Sequence, residues 1–220
     1  MRIVFLYQGP HKCHEKWAKA INADFCHFER DEIGEADVII VEGGAPLTRA
    51  ADYKRKKPGT KIIYLNADET FLVWKERLMR GRFERSFLSW MYALAEVDGI
   101  ISVSRLIQLN VGIPQFIVHP FIQKGYEEPM YDASSNNILT VGYYHEKQGI
   151  DLLLDAFKIL KKGERFRNVK LFLVGRGYPP KYASKDVILT GFVEELSSIY
   201  RKCGVYVHAG KFQAFPVAVI

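Results

Sequence analysis

Short apolar runs alternate with amphipathic or polar stretches along most of the chain. In the first half, runs of strand length predict strands at Arg2–Tyr7, Asp24–Glu29, Ala36–Val41, Lys61–Asn66, Gly99–Val103 and Gln115–Val118. The stretches between them predict helices around Cys13–Ile21 and at Thr48–Lys57, Phe71–Met79 and Arg82–Glu96. Strands that alternate with helices in this way predict a parallel sheet covered on both faces.

The alternation stops near residue 121 and then restarts. Turn-forming residues replace periodic apolar ones in this stretch, which predicts a linker over 123–136 between domains at 1–122 and 137–220. The second domain is predicted to hold strands and helices at Ile138–Gly142, Gly149–Lys162, Val169–Val174, Val187–Thr190, Leu196–Cys203 and Val205–His208. The predicted fold class is therefore α/β with two Rossmann-like domains. Doubly wound domains usually continue past four strands, so the second domain is expected to be incomplete.

Composition and charge narrow the classes of function only slightly. The chain has 220 residues, 48% hydrophobic and 25% charged, which suits a globular protein with a substantial core. The net charge of +6 favours phosphate-bearing partners, but no nucleic-acid-binding motif is present, so nucleic acid is not an expected partner. No apolar stretch has the length of a signal-peptide core or a bilayer span, which predicts a cytoplasmic protein. Cys13 and Cys26 each precede a histidine, but the spacing is not that of a zinc site and no metal is expected.

Four stretches of the second half combine apolar strands with glycines at the strand ends. They are Val141–Gly142 with Gly149–Phe157, Lys170–Gly177, Val187–Val193, and Val205–His208 with Phe215–Pro216. In order and spacing they resemble the sugar-nucleotide-binding domain of the retaining glycosyltransferases of family 4. Ala95–Ser104 and Val118–Phe121 are similar to the end of that family's acceptor domain. The resemblance implies the two-domain GT-B architecture and transfer of a sugar from a nucleotide-sugar donor to an acceptor with retention.

The resemblance also implies which residues bind the donor. They are Gly142, Tyr143, Lys147, Gln148, Gly175, Gly177, Gly191, Phe192, Val193 and Phe215. Glycyl turns let the backbone approach a ligand closely, and helix N-termini bind diphosphate through free N–H groups. Gly175 and Gly177 would line the nucleotide pocket, the Gly191–Val193 turn would lie against the base, and amides near Phe215 would face the diphosphate. The nucleotide sugar is a substrate, and no cofactor is expected.

Several positions depart from the family's pattern. Tyr143 and Gln148 stand where the family has an arginine and a lysine that neutralise the diphosphate, with Lys147 adjacent. Gln213 stands at the first of a pair of glutamates, and the second would fall directly after Ile220. Groups that neutralise a leaving phosphate each account for factors of about 10²–10³ in rate. Two functions therefore stay open, a retaining glycosyltransferase and a catalytically silent binding or interaction protein, with a nucleotide-sugar epimerase as a less favoured third.

The acceptor is expected on the first domain, at the loops that follow its strands. The candidate residues on this side are Gly9, His11, Asn66, Asp68 and Glu69. Asp68 would orient an acceptor hydroxyl, and Asp68 and Gln213 are the two catalytic candidates. In the competing interpretation, Asp68 and Glu69 are carboxylates that cap a helix N-terminus.

Two further kinds of contact are expected from the pattern of charged and apolar residues. Trp74–Arg85 mixes basic and aromatic residues, and Phe87 and Trp90 follow it. A basic amphipathic helix can lie on anionic lipid. One interpretation is therefore peripheral contact with the inner membrane face, with an acceptor that is lipid-linked. The other is an ordinary helix face exposed to solvent. Val205–His208 would form an exposed sheet edge, and such edges favour pairing with another chain, so self-association is also expected.

Overall fold

The computed structural model describes residues 1–9, 12–68, 71, 79, 81, 85–120, 130–145 and 148–210. The chain divides into two compact units, Met1–Pro120 and Phe121–Ile220. Each has its own sheet and its own core, and each is described by itself below.

The first unit is a parallel sheet of six strands in the order β2-β1-β3-β4-β5-β6. Its strands are β1 Ile3–Tyr7, β2 Asp24–His27, β3 Val38–Val41, β4 Lys61–Asn66, β5 Gly99–Ser102 and β6 Gln115–Ile117. Its helices are α1 Lys12–Ala20, α2 Gly44–Lys56 and α3 Arg85–Leu94, with a 3-10 turn at Arg105–Ile107. Val4, Ile39 and Ile62 are fully buried at the centre, because helices cover the sheet on both faces.

The second unit has a parallel sheet of four strands in the order β10-β7-β8-β9. Its strands are β7 Ile138–Val141, β8 Leu171–Val174, β9 Val187–Gly191 and β10 Val205–Tyr206. Its helices are α4 Ile150–Leu160 and α5 Ser197–Tyr200, with 3-10 turns at Glu164–Phe166 and Pro180–Tyr182. Every residue of β8 is buried, as expected for a central strand.

Two separate parallel sheets confirm the predicted fold class of two Rossmann-like α/β units. The largest difference in a boundary concerns α2, which begins at Gly44 and not at Thr48. Pro46 falls in the first turn of this helix, where a missing N–H costs nothing and the fixed φ suits a helix. The predicted helix at Phe71–Met79 lies mostly outside the described residues.

The carboxyl ends of parallel strands meet at one edge of a sheet, and open α/β sheets bind ligands there. In the first unit this edge carries the residues that follow β1, β3 and β4. In the second unit it carries the loops after β7, β8 and β9. No helix among the described residues is long and apolar enough to cross a bilayer.

Candidate functional site

Backbone hydrogen bonds tie together the three loops at the carboxyl edge of the second sheet. The N–H of Gly142 donates to the carbonyl of Val174 over 2.8 Å, and the N–H of Tyr144 donates to the carbonyl of Arg176 over 2.7 Å. The N–H of Gly175 donates to the carbonyl of Gly191 over 2.9 Å. The predicted donor residues on the loops after β7, β8 and β9 therefore belong to one connected surface.

Two glycines come into direct contact at the centre of this surface. Gly175 has a φ of +140°, and a Cβ on it would lie 1.8 Å from the carbonyl oxygen of Gly142. Only a residue without a side chain fits such an approach. Gly177 follows with a φ of +84°, and a Cβ there would stand 3.5 Å from the Cβ of Tyr144. The sequence thus specifies glycine where the backbone itself forms the surface.

The start of α4 lies beside this pair of glycines. The side-chain amide nitrogen of Gln148 is 3.5 Å from the position that a Cβ on Gly142 would take. Gly149 has a φ of +65° and packs against the carbonyl of Ala209, so the loop after β10 also reaches this point. Tyr143 is exposed next to it and meets His145 edge-on at 6.4 Å between ring centroids. Positions 143 and 148, where the resembled family has an arginine and a lysine, therefore carry a phenol and a neutral amide close to the first turn of α4.

The loops after β8 and β9 present a pair of side chains in cation–π contact. The guanidinium carbon of Arg176 lies 4.6 Å from the centre of the Phe192 ring. Phe192 is 50% exposed, while the neighbouring Val193 packs against the core that contains Leu139 and Phe172. Val193 therefore anchors the turn, while half of the Phe192 side chain is exposed at the surface.

A cluster of tyrosines supports the same loops, and the sequence alone did not indicate it. The Tyr182 hydroxyl donates to Oδ1 of Asp151 over 2.5 Å and lies 3.2 Å from the Tyr144 hydroxyl. Burial raises the pKa of Tyr178 to about 12, and the hydrogen bond to Asp151 raises the pKa of Tyr182. These phenols stay protonated at neutral pH, and the cluster links the loops after β7 and β8 to the first turn of α4.

In the first unit, the candidate acceptor residues differ in their surroundings. Gly9 and Asp68 are exposed at the carboxyl edge. Asn66 is buried, and its amide donates to the carbonyl of Ile107 over 2.5 Å and to the Ser102 hydroxyl over 3.3 Å. The Asn66 side chain therefore supports the turn after β5.

A histidine–carboxylate pair lies at this edge and was not predicted from the sequence. His14 Nε2 lies 3.0 Å from Oε2 of Glu42, with His14 only 3% exposed. His14 also stacks on Phe5 at 5.7 Å. The charge of Glu42 also acts on the buried Tyr64. The pKa of Tyr64 is raised well above its usual value, mainly by burial and to a smaller extent by the charges of Asp68 and Glu42. The two partners lie on separate elements, α1 and the end of β3, so no local motif signals them.

Other predicted residues and features lie elsewhere. His11, Glu69, Lys147, Gln213 and Phe215 fall outside the described residues.

A cavity of about 280 Å³ lies beside β10 and contains none of the predicted site residues. Its lining is Met130, Tyr131, Leu139, Tyr200, Cys203, Gly204, Val205 and Tyr206. Within the described ranges, no group of three or more His, Cys, Asp or Glu residues is placed to hold a metal ion.

Comparison with known proteins gives one family match and many structural matches. The family described as "Glycosyl transferases group 1" matches residues 135–220. No curated protein matches the chain. WaaG, a glycosyltransferase involved in lipopolysaccharide biosynthesis, has a TM-score of 0.67 at 15% identity, over 99% of this chain and 77% of its own.

Two other solved structures are longer than this chain. TarM has a TM-score of 0.62 at 13% identity, over 82% of this chain and 38% of its own. The pneumococcal O-GlcNAc transferase GtfA, solved with UDP and GlcNAc, has a TM-score of 0.55 at 15% identity, over 93% of this chain and 41% of its own. This chain thus spans less than half the length of TarM and GtfA. The chain has the α/β fold of the GT-B glycosyltransferases, and its residues 135–220 match the glycosyl transferases of group 1.

Proposed function

We propose that this protein transfers a sugar from a nucleotide-sugar donor to an acceptor, with retention at the anomeric carbon. The observation that carries the proposal is the surface at the carboxyl edge of the second sheet, where the loops after β7, β8 and β9 meet through glycine backbone. The family match over residues 135–220 covers the same surface. The UDP and GlcNAc bound by GtfA, which has a similar fold, support a nucleotide sugar as the donor.

The donor would bind mainly through backbone. Gly142 and Gly175 let the backbones of the loops after β7 and β8 meet in direct contact, and the nucleotide would lie along Gly175 and Gly177. The first turn of α4 would face the diphosphate, because the unpaired N–H groups and dipole of a helix N-terminus favour negative charge. This arrangement would stabilise charge on the departing diphosphate.

The acceptor would bind at the carboxyl edge of the first sheet. Asp68 is exposed at the end of β4 and is the residue we propose to orient the acceptor hydroxyl. Gly9 would contribute backbone to the same surface. The buried amide of Asn66 would act indirectly, by holding the turn that follows β5.

One observation favours the second candidate function, a catalytically silent binding protein. Tyr143 and Gln148 give no positive charge at the start of α4, where the leaving group would need it. A protein that binds a nucleotide sugar but neutralises the leaving diphosphate poorly would bind without turnover.

Calorimetry followed by a turnover assay separates the candidates. The protein is titrated with UDP, GDP and their sugars, and a proton NMR assay with excess donor then follows the anomeric signal of any product. Binding with a retained anomeric configuration is the expected result. Binding without turnover would favour the silent protein, and an inverted product or no binding to any nucleotide would overturn the proposal.

A lysine at position 148 is expected to strengthen donor binding. Gln148→Lys would place a cation at the start of α4, and one charge-assisted hydrogen bond to phosphate contributes about 1.5 kcal/mol, or roughly 10-fold in Kd. Calorimetric titration with UDP and GDP measures the change. Gln148→Met, of similar length without charge, and Gln148→Glu, of opposite charge, are the matched controls. Equal affinities in the lysine and methionine variants would show that the diphosphate does not bind here.

We also propose that the exposed face of α3 contacts anionic lipid when the acceptor is membrane-bound. Leu88, Met91 and Tyr92 are exposed at helical spacing, while Phe87 faces the core. Arg85 at the start of the helix and the basic residues before it in sequence add positive charge.

Removing the apolar side chains from this face should release the protein from vesicles. The double variant Leu88→Ser with Met91→Ser is expected to bind phosphatidylglycerol vesicles roughly 30-fold more weakly, because each of the two apolar side chains contributes about 1 kcal/mol when buried in the membrane surface. Co-sedimentation measures the bound fraction. Leu152→Ser, a change at an even more exposed leucine on α4, is the control. Equal binding by all three proteins, or no binding by the unaltered protein, would contradict membrane contact through α3.

A further inference from the structure

The amino edge of the second sheet lies opposite the proposed donor surface and is strongly basic. Among the described residues, six exposed cations in the loops that lead into β8, β9 and β10 have no carboxylate partner: Lys162, Arg165, Lys170, Lys185, Arg201 and Lys202. Two carboxylates of the same loops are already paired. Oε1 of Glu164 lies 3.0 Å from a guanidinium nitrogen of Arg167. Oδ2 of Asp186 lies 3.2 Å from Nζ of Lys161, so neither carboxylate compensates the six cations.

Hydrogen bonds hold these loops together at the start of the strands. Asn137 lies directly before β7 and bridges two of them. Its Oδ1 accepts the N–H of Lys170 over 2.9 Å, and its Nδ2 donates to the carbonyl of Lys202 over 3.0 Å. The N–H of Leu171 donates to the carbonyl of Asp186 over 2.8 Å, which joins β8 to the loop before β9. The backbone that carries the cations is therefore connected across all four strands.

Exposed apolar side chains lie beside the cations. Tyr131 is 59% exposed, and Val205, the first residue of β10, is 45% exposed. The N–H of Asp132 donates to the carbonyl of Cys203 over 3.1 Å, so Tyr131 lies near the start of β10. Tyr131 and Val205 both line the cavity of about 280 Å³ beside β10. Positive charge and exposed apolar surface thus meet at one edge of the unit.

This combination favours a lipid surface over a nucleic acid. Both offer phosphates to lysine and arginine. Nucleic acids are also recognised by elements that enter a groove and by aromatic rings that stack on bases. Phe166, in the most basic loop, instead packs against the core, with the Arg165 guanidinium carbon 4.5 Å from its ring centre. An anionic membrane adds an apolar layer directly below its phosphates, where tyrosine is enriched, and this layer suits Tyr131 and Val205.

We propose that the amino edge of the second sheet binds an anionic lipid surface. The cations would contact the phosphate headgroups, and Tyr131 and Val205 would lie at the boundary with the acyl chains. This surface belongs to the second unit and is separate from α3 of the first unit. It does not depend on the proposed sugar transfer. The donor loops, at the opposite edge of the same sheet, would stay open to solvent.

Co-sedimentation of the full chain with vesicles tests the cations of this surface. The vesicles contain equal parts of phosphatidylglycerol and phosphatidylcholine. Lys170→Gln with Lys202→Gln is expected to bind them roughly 30-fold more weakly, because each lysine or arginine at an anionic surface contributes about 5-fold. Lys56→Gln with Lys57→Gln removes the same charge from exposed side chains at the end of α2 and is the matched control. The control should bind within about 2-fold of the unaltered protein.

Tyr131→Ser tests the apolar part of the surface, with duplex DNA at equal phosphate concentration as the competing partner. This variant is expected to bind the vesicles roughly 5-fold more weakly, while its binding to DNA stays unchanged. The replaced side chains are all exposed, so every variant should keep the circular dichroism of the unaltered protein.

Several results would overturn the inference. If the unaltered protein does not bind the vesicles, or binds DNA more tightly than the vesicles, the partner is not an anionic membrane. If the two lysine pairs weaken vesicle binding equally, only the net charge of the chain matters. If Lys170→Gln with Lys202→Gln binds like the unaltered protein, or Tyr131→Ser does, this edge does not contact the lipid. None of these results bears on the donor site, which nucleotide titration tests separately.

Discussion

Replacing Gly175 with alanine is expected to destabilise the second unit by about 3 kcal/mol or more. Two costs add at this position. The φ of +140° is strained for any residue with a side chain, and the new Cβ would lie 1.8 Å from the carbonyl oxygen of Gly142. The clash between the new Cβ and the Gly142 carbonyl could be removed only if the loops after β7 and β8 separated. That separation would also disrupt the proposed donor surface.

Gly191→Ala is the matched control for this change. Gly191 also has a positive φ, +68°, but nothing stands within 4 Å of a Cβ there. The expected cost is the backbone strain alone, about 1 kcal/mol. Trp17, Trp74 and Trp90 all precede residue 121, so tryptophan fluorescence does not report on the second unit. Hydrogen exchange at the amides of β7 and β8 is the appropriate measurement, and equal losses of protection in the two variants would contradict the close contact between Gly142 and Gly175.

Replacing Gly44 with alanine is expected to destabilise the first unit by about 2–3 kcal/mol through overpacking. Trp90 of α3 lies directly on this glycine at the start of α2, and an added Cβ would lie 2.0 Å from two carbons of its indole ring. The rigid ring must move, so the contact between α2 and α3 would open. Gly44 lies two residues after Glu42 in the chain, so the change would also alter the carboxyl edge of the first sheet.

Denaturant unfolding followed by tryptophan fluorescence tests this prediction, because Trp90 reports on its own displacement. Gly59→Ala serves as the control, since a Cβ there meets nothing within 4 Å. The control should unfold within about 0.5 kcal/mol of the unaltered protein. If Gly44→Ala unfolds at the same denaturant concentration as the control, the indole of Trp90 does not lie on Gly44.

Strands were predictable from the sequence where burial on both faces leaves a continuous apolar run. The strand Lys61–Asn66 is found with the predicted limits, and the fold class follows from the alternation of such strands with helices. The start of α2 was not predictable in the same way. Gly43–Gly44–Ala45–Pro46 has the composition of a turn, and the packing of Trp90 against Gly44 at the start of the helix depends on the distant helix α3.

In the candidate site, too, some features could be predicted from the sequence and others could not. Glycines at strand ends signal a backbone surface, because their spacing follows the strands that the sequence makes evident. The side chains around that surface are brought together by the order of strands in the sheet. The contact of Arg176 with Phe192, the bond of Tyr182 to Asp151 and the pair of His14 with Glu42 each join residues from different elements. None of these pairs has a local sequence pattern, so none could be found before the topology was known.

The central claim is that a nucleotide binds the loops at the carboxyl edge of the second sheet. Amide NMR spectra of the ¹⁵N-labelled protein, recorded during titrations with UDP and GDP, test it most directly. The proposed site predicts shifts concentrated at Gly142, Gly175, Gly177, Gly191 and Phe192. Shifts confined to the first unit, or no shifts at millimolar nucleotide, would contradict the donor site and with it the proposed sugar transfer.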